Sequence, residues 1–443
     1  MIPACRNSSD LLTSCMSTMT ISEHIPLSRM QFLERTGPSV QGLSNLDLEI
    51  HNSLSSLNIP PEKLLGRKIA ITVGSRGIAS LFEVTRATCE WLRKQGAVPF
   101  AFPAMGSHGG ATAEGQREVL EGYGITRDSI GAQICSSMET VSLGSTSEGF
   151  GVFMDRNAFD ADAILVMNRV KPHTDFSGAV ESGLLKMMAI GMGKATGARE
   201  AHLWFRKYGF EPVIRSMSEK VLASGKILCG LALIENEVHQ IADVRASLPG
   251  EIAAQEQAAL TIARALVPRI PFRKIDLLIV DEIGKNISGA SMDTKIIGRG
   301  LDPAQMPPEG PQVRIIYARD LTPVSEGNAT GVGLADVIHE RLYRQIDHEK
   351  TAINLRTSLN LPVSRTPIHL TSDRDALDFA FGCLGSPAPN EQRTVWIRNT
   401  LSLARIGVSE LLARESADLK GWRMTPDALD LKFDANGNVD SPL

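Results

Sequence analysis

The sequence predicts an α/β protein of two domains. The first carries a doubly wound, mostly parallel sheet with helices on both faces. The second is a smaller α/β domain, and the active site lies in the cleft between them. Three observations carry this. The chain has 443 residues, too many for one ordinary core. Short apolar runs alternate with stretches of helical periodicity, joined by glycine-rich turns. The alternation closes near Ile270 and restarts at a new apolar run, KIDLLIVDEIG. The expected units are an N-terminal extension over 1–35, a catalytic domain over 36–270, a C-terminal domain over 271–416 and a polar tail over 417–443.

The first strong unit is GRKIAITVGSRGIAS, where 67–73 read as a strand and Gly74 and Gly77 bracket a turn. The following segment, ASLFEVTRATCEWLRKQGA, reads as a helix with Leu81, Val84, Ala87, Trp91 and Leu92 on one face, stopped by Gly96. AVPFAFPAM is the next strand, GSHGGAT a turn, and AEGQREVLEGYG a second helix. DADAILVMNRV, at 160–170, is a buried strand. In open α/β sheets the chemistry sits in loops beyond the carboxyl ends of the strands. The loops carrying Arg76, His108 and His173 are therefore expected to be neighbours. EIAAQEQAALTIARALVPRIPF reads as the helix that closes the first domain. In the second, VRIIYARD and RTVWIRNT read as strands, and GNATGVGLADVIHERLYRQID as a turn followed by a helix.

Composition narrows the function. Formal net charge is −4 and there is no basic tract, so no nucleic-acid partner is expected. No apolar run reaches membrane-spanning length. The N-terminal residues lack a continuous apolar segment, which argues against a signal peptide. Met16, Met19 and Met30 are alternative starts. The cysteines, at positions 5, 15, 89, 135, 229 and 383, form no C-x-x-C pair and read as reduced thiols, the pattern of a cytoplasmic protein.

Chemistry concentrates in RVKPHTDFSGAVESGLLKMMAIGMGKATGAREAH, from Arg169 to His202. It sets Lys186 between Leu-Leu and Met-Met, with His173 and His202 on either side. A lysine beside apolar residues either snorkels to solvent or is enclosed. Enclosure disfavours the ammonium and leaves a nucleophilic amine. His108 lies in a turn with Gly106, Gly109 and Gly110, where free N–H groups and a helix start offer an anion cradle; the alternative is a plain strand–helix loop. Arg76 occupies the equivalent loop of the preceding unit, placed to grip a carboxylate or phosphate, or simply a surface arginine. His24, His51, His239, His339, His348 and His369 lie in polar or helical settings and suggest no site.

The blocks GSHGGAT, KPHTDFSG, ESGLLKMM and GAREAH occur in the order shown by the nickel-pincer lactate racemase family, which the chain resembles from about residue 40 to 415. The resemblance implies that Lys186 carries a pyridinium-type mononucleotide through a thioamide bond. Nickel is then held by the carbon and two sulfurs of that pincer and by His202. It further implies that His108 and His173 are the paired acid/base groups. Arg76, Gly109, Gly110 and Lys295 would help hold cofactor or substrate, and cofactor-biosynthesis proteins would be partners. The implied reaction is racemisation or epimerisation of a small-molecule 2-hydroxy acid by proton-coupled hydride transfer.

The sequence departs from the family at Val73, where lactate-active members usually carry an acid, and in the longer His173–Lys186 spacing. Glu181 is an added carboxylate, and Asp293 adjoins the Lys295 segment. These departures bear on the substrate: a larger or more polar hydroxy acid, such as a sugar acid, fits as readily as lactate. Two other readings compete. One is a metal-dependent hydrolase with His108, His173 and His202 around one ion. The other is a non-catalytic homologue binding a phosphorylated small molecule through Arg76 and the glycine loops.

Overall fold

The computed structural model describes residues 24–38, 40–74, 77–174, 176–300, 310–358, 363 and 365–443. It begins with strand β1 (Met30–Arg35). The first domain follows with β2 (Lys68–Val73), β3 (Val98–Pro103), β4 (Gln133–Ile134), a hairpin of β5 (Thr140–Ser145) and β6 (Gly151–Asp155), then β7 (Ala163–Arg169), β8 (Ile227–Glu235) and β9 (Ile241–Ser247). The second domain contains β10 (Lys274–Ile283), β11 (Gln312–Leu321), β12 (Val337–His339), β13 (Ile368–Leu370), β14 (Thr394–Ile397), β15 (Arg405–Ser409) and β16 (Trp422–Leu429).

The first sheet runs β4-β3-β2-β7-β8-β9, parallel throughout except for the last pair. Its strands are buried on both faces, which is why KIAITV and ILCGLALIE are continuous apolar runs rather than alternating ones. Ile69, Ile71 and Val73 face a core shared with helices Leu46–Ser55 and Leu81–Lys94. Ala70, Phe102, Ile164 and Val166 face the opposite core, with helices Lys194–Tyr208, Phe210–Leu222 and Ile252–Leu266. The chain winds outward from β2 to β3 and β4, then returns on the other side of β2 as β7. That reversal opens a crevice at the carboxyl ends of β2 and β7.

The second sheet, eight-stranded among the described residues, runs β13-β12-β11-β10-β14-β15-β1-β16. Its first five strands are parallel and the rest antiparallel. Residues 30–35 and 422–429, which the sequence reading assigned to an extension and a tail, are both strands of this sheet. The two-sided pattern recurs: Leu278, Val280 and Ile316 face one core, Leu277, Ile279 and Tyr317 the other. The segment read as a turn and a helix also differs. Val337, Ile338 and His339 form β12 between β11 and β13, leaving a 3-10 turn at Val332–Leu334 and an α-helix of only Glu340–Gln345. Two β-branched residues, open to a ladder on each side, take strand geometry there.

Beyond β16 the chain crosses the carboxyl edge of the second sheet. Arg319 donates to Asp281 at 2.5 Å, to Asp373 at 2.8 Å and to the Val439 carbonyl. Tyr317 donates to Asp373 at 2.6 Å, and Ser441 to Asp281. No helix among the described residues is long and apolar enough to cross a membrane.

Candidate active site

Parallel pairing of β3, β2 and β7 brings their carboxyl ends to one edge of the first sheet. The loop after β3 carries His108, and the loop after β7 carries His173; both side chains are half-buried. Arg76, after β2, lies outside the described residues. The rest of its loop is fastened to this edge. Arg169, at the end of β7, donates to the Gly77 carbonyl at 3.0 Å and to Glu235 at 2.7 Å, and Glu235 accepts from the Ala79 N–H at 2.8 Å. Burial pushes the Glu235 carboxyl up, but His239, Arg169 and the Ala79 N–H outweigh it and hold its pKa at about 2.

Lys186 ends the short helix Leu184–Lys186, and a single π turn, Met187–Gly191, follows at once. Such turns recur at functional sites because they set a side chain out of the regular helical register. Gly191 is needed here: a Cβ would come within 2.7 Å of the Ala104 carbonyl, so only glycine lets the turn press on the loop that leads to His108. Lys186 itself is half-buried among Leu184, Leu185, Met187 and Met188, which are buried. The backbone before it is capped by Glu256, whose carboxylate accepts the Leu185 N–H at 2.8 Å. Burial drives this carboxyl up to a pKa of about 7. Glu256 sits on the apolar stripe of its helix, four residues after Ile252 and four before Leu260, the one sequence signal that could have singled it out.

The wholly enclosed amine is a different one. Lys194 is 0 % exposed and stands at the start of the helix that carries His202, with a left-handed φ of 54°. Its Nζ donates to the Pro103 carbonyl at 2.5 Å and to Gln116 Oε1 at 2.9 Å, and pairs with Asp155 at 3.1 Å. Burial lowers the Lys194 pKa and raises that of Asp155, each partly offset by the other's charge. With three acceptors around it this ammonium is structural, and the glycine-rich run GMGK gave no periodic signal of it.

His173 and His202 are joined by an aromatic wall. The His173 ring lies 4.5 Å from Phe176 and 5.7 Å from Phe210 between centroids. Phe210 stacks on Phe176 at 4.4 Å and on Phe205 at 4.1 Å, and Phe205 meets the half-buried His202 edge-on at 5.3 Å. Glu181, fully buried, fixes the His173 loop: it accepts the backbone N–H of His173 and that of Gly178, the latter at 3.2 Å, and pairs with Arg264. The second domain reaches the same carboxylate through Lys295 Nζ at 2.8 Å, and Thr294 donates to the Thr174 carbonyl. Lys295, read from the sequence as a residue that helps hold cofactor or substrate, has Glu181 as its partner, the carboxylate that also accepts the His173 N–H. Asp293 caps the Lys295 turn, accepting from the Lys295 N–H at 3.0 Å.

The glycines of the His108 loop divide. Gly109 packs on the start of the next helix, where a Cβ would lie 2.6 Å from the Gln116 nitrogen, so its absence of a side chain has a packing reason. Gly110 borders open space. Among the described residues no three His, Cys, Asp or Glu side chains are gathered to hold a metal ion, so His108, His173 and His202 are not one ligand set here.

No family model and no curated protein matches the sequence. Among solved structures, the lactate racemase apoprotein from Thermoanaerobacterium thermosaccharolyticum is similar at 12 % identity and a TM-score of 0.48, covering 83 % of this chain and 94 % of that one. A crystal structure of a Thermotoga maritima protein is similar at 15 % identity and a TM-score of 0.46, over 72 % and 81 % of the two chains. At these values neither likeness carries an inference about activity.

Proposed function

We propose that the protein is a racemase or epimerase of a 2-hydroxy acid, working with a nickel-pincer nucleotide tethered to Lys186. The observation that carries the reading is the convergence of the loops bearing His108 and His173 on one sheet edge, beside the π turn that follows Lys186. The motif blocks in the sequence support it independently. The donor set suits the cofactor. Lys186 offers an amine for a covalent tether, and His202 an imidazole, a borderline donor matched to Ni(II) alongside soft sulfur. When bound, the group supplies the hydride acceptor and donor that passage through a planar 2-keto acid requires.

The remaining work falls to this chain. One histidine of the His108/His173 pair takes the hydroxyl proton as the 2-keto acid forms. The other returns a proton to the oxygen once the hydrogen is restored on the opposite face. Imidazoles serve both directions near neutrality because their ordinary pKa lies close to the working pH. The aromatic wall of Phe176, Phe210 and Phe205 excludes water beside His173, and Lys295 brings the second domain over the same loop.

The test is chiral analysis of a panel of 2-hydroxy acids with cofactor-loaded protein. Racemisation is expected from the natural chain and none from Lys186→Ala. His108→Ala should lose at least about 100-fold in rate, the ordinary worth of a general acid/base, while still carrying the nucleotide. Undiminished racemisation by Lys186→Ala would contradict the proposal.

A further inference from the structure

We propose that Gln116 is a positioning residue for His108, held in its working orientation by the buried Lys194–Asp155 pair. This rests on the reading of His108 as an acid/base group. Gln116 is 0 % exposed, and each end of its amide has a separate task. Its Nε2 donates to the Gly106 carbonyl at 2.9 Å and to the His108 carbonyl at 3.2 Å. Its Oε1 accepts from Lys194 Nζ at 2.9 Å. An amide in such a site can be turned either way; the ammonium, which only donates, fixes the oxygen toward itself and therefore the NH₂ toward the His108 loop.

Lys194 also ties down the pieces that flank this loop. It donates to Pro103, the last residue of β3, and pairs with Asp155, the last residue of β6, while its own backbone opens the helix that carries His202. A buried ion pair generally adds little net stability over well-packed apolar side chains. Lys194 also holds a left-handed backbone, which a lysine rarely adopts. Geometry provides the reason for both: the pair fixes the His108 loop and the His202 helix relative to each other.

The loop needs such a clamp. Gly106, Gly109 and Gly110 all have positive φ, and the loop's backbone hydrogen bonds among the described residues include Gly106 N–H to Gly191 at 3.4 Å, His108 N–H to Met105 at 3.2 Å, Ala111 N–H to His108 at 3.2 Å and Thr112 N–H to Gly109 at 3.3 Å. These lie at or beyond the upper end of the ordinary range for an amide hydrogen bond. The two donated by Gln116, one of them at 2.9 Å, reinforce the loop at the Gly106 and His108 carbonyls.

The experiment uses the full-length apoprotein, so it does not depend on loading. Gln116→Glu keeps an acceptor for Lys194 but removes both donors toward the carbonyls; Gln116→Met removes all three bonds at similar volume. Hydrogen exchange at Gly106, His108 and Ala111 is expected to quicken about tenfold or more in both variants, as for loss of hydrogen bonds local to a loop. Exchange in β2 and β7 should stay unchanged. The His108 ring resonance should shift, while those of His173 and His202 hold. Natural exchange at the three amides in either folded variant would overturn the proposal. Should one variant fail to fold, the other decides. In loaded enzyme the same variants should lower kcat about tenfold with KM retained. Faster exchange with undiminished kcat would overturn the positioning role, while the reading of His108 itself stands or falls with His108→Ala.

Discussion

Glu256 couples stability to pH at the level of a single side chain. Its carboxyl is raised from 4.5 to about 7 by burial, and one of its oxygens has no hydrogen-bond partner among the described residues. The folded chain therefore binds this proton more tightly than the unfolded one. Stability from protonated Glu256 is intact below the unfolded value and is lost as pH rises through about 7. Arg215 is the nearby charge that opposes the shift. The full effect amounts to about 3 kcal/mol. Urea midpoints at pH 5 and pH 8 should differ for the natural chain, and Glu256→Gln, which keeps one acceptor for the Leu185 N–H, should narrow the difference. Equal pH slopes for the two proteins would show that another group controls it. Residues of this kind are hard to read in advance. His108, His173 and Lys186 stood out because glycine or repeated apolar residues framed them. Lys194 sat in the same stretch without a mark, since its role comes from Pro103, Gln116 and Asp155, which are distant in sequence.

Among the elements, the carboxyl edge of the second sheet is fastened by the segment after β16. Arg319 is 5 % exposed and joins β11 to Asp281 in β10, to Asp373 at the head of the helix Asp373–Cys383 that follows β13, and to Val439. Removing one partner of such a cluster leaves the other charges buried. Arg319→Ala should accordingly cost about 3–5 kcal/mol, read as a lower urea midpoint, and amides of 434–443 should lose protection. A change under about 1 kcal/mol would mean that solvent replaces the guanidinium readily. The same region shows where sequence patterns stop. Strands β2, β3, β7, β10 and β11 were legible as apolar runs bounded by glycine or proline. Strand β12 was hidden because three residues cannot display a period and its flank, ERLYRQ, is helical. Strands β1 and β16 pair across nearly the whole chain, Met30 opposite Leu429, and no local pattern records a partner that remote.

For the molecule as a whole, the decisive feature is how the domains meet. Lys295 and Thr294 of the second domain reach Glu181 and Thr174, and Arg35 of β1 donates to Glu237 at 2.6 Å. The contacts of Lys295 and Thr294 fasten the His173 loop. Glu181→Gln weakens the Lys295 and Arg264 pairs together, so calorimetry should resolve the unfolding into two separated transitions, or widen it markedly, where the natural chain shows closer coupling. Unaltered calorimetry would assign the coupling to the apolar contacts alone. The two-domain α/β architecture followed from length and alternation. The link through Glu181 did not, because a lone carboxylate in sequence does not reveal two cations from other elements. The proposed role of Lys186 is that of a covalent tether. Its most direct test is intact mass and peptide mapping of protein from a host shown to load a co-expressed lactate racemase. The account predicts a mass above that of the sequence by the pincer nucleotide, with the adduct on the Lys186 peptide and nickel in proportion. An unmodified Lys186 peptide from that same host would contradict it.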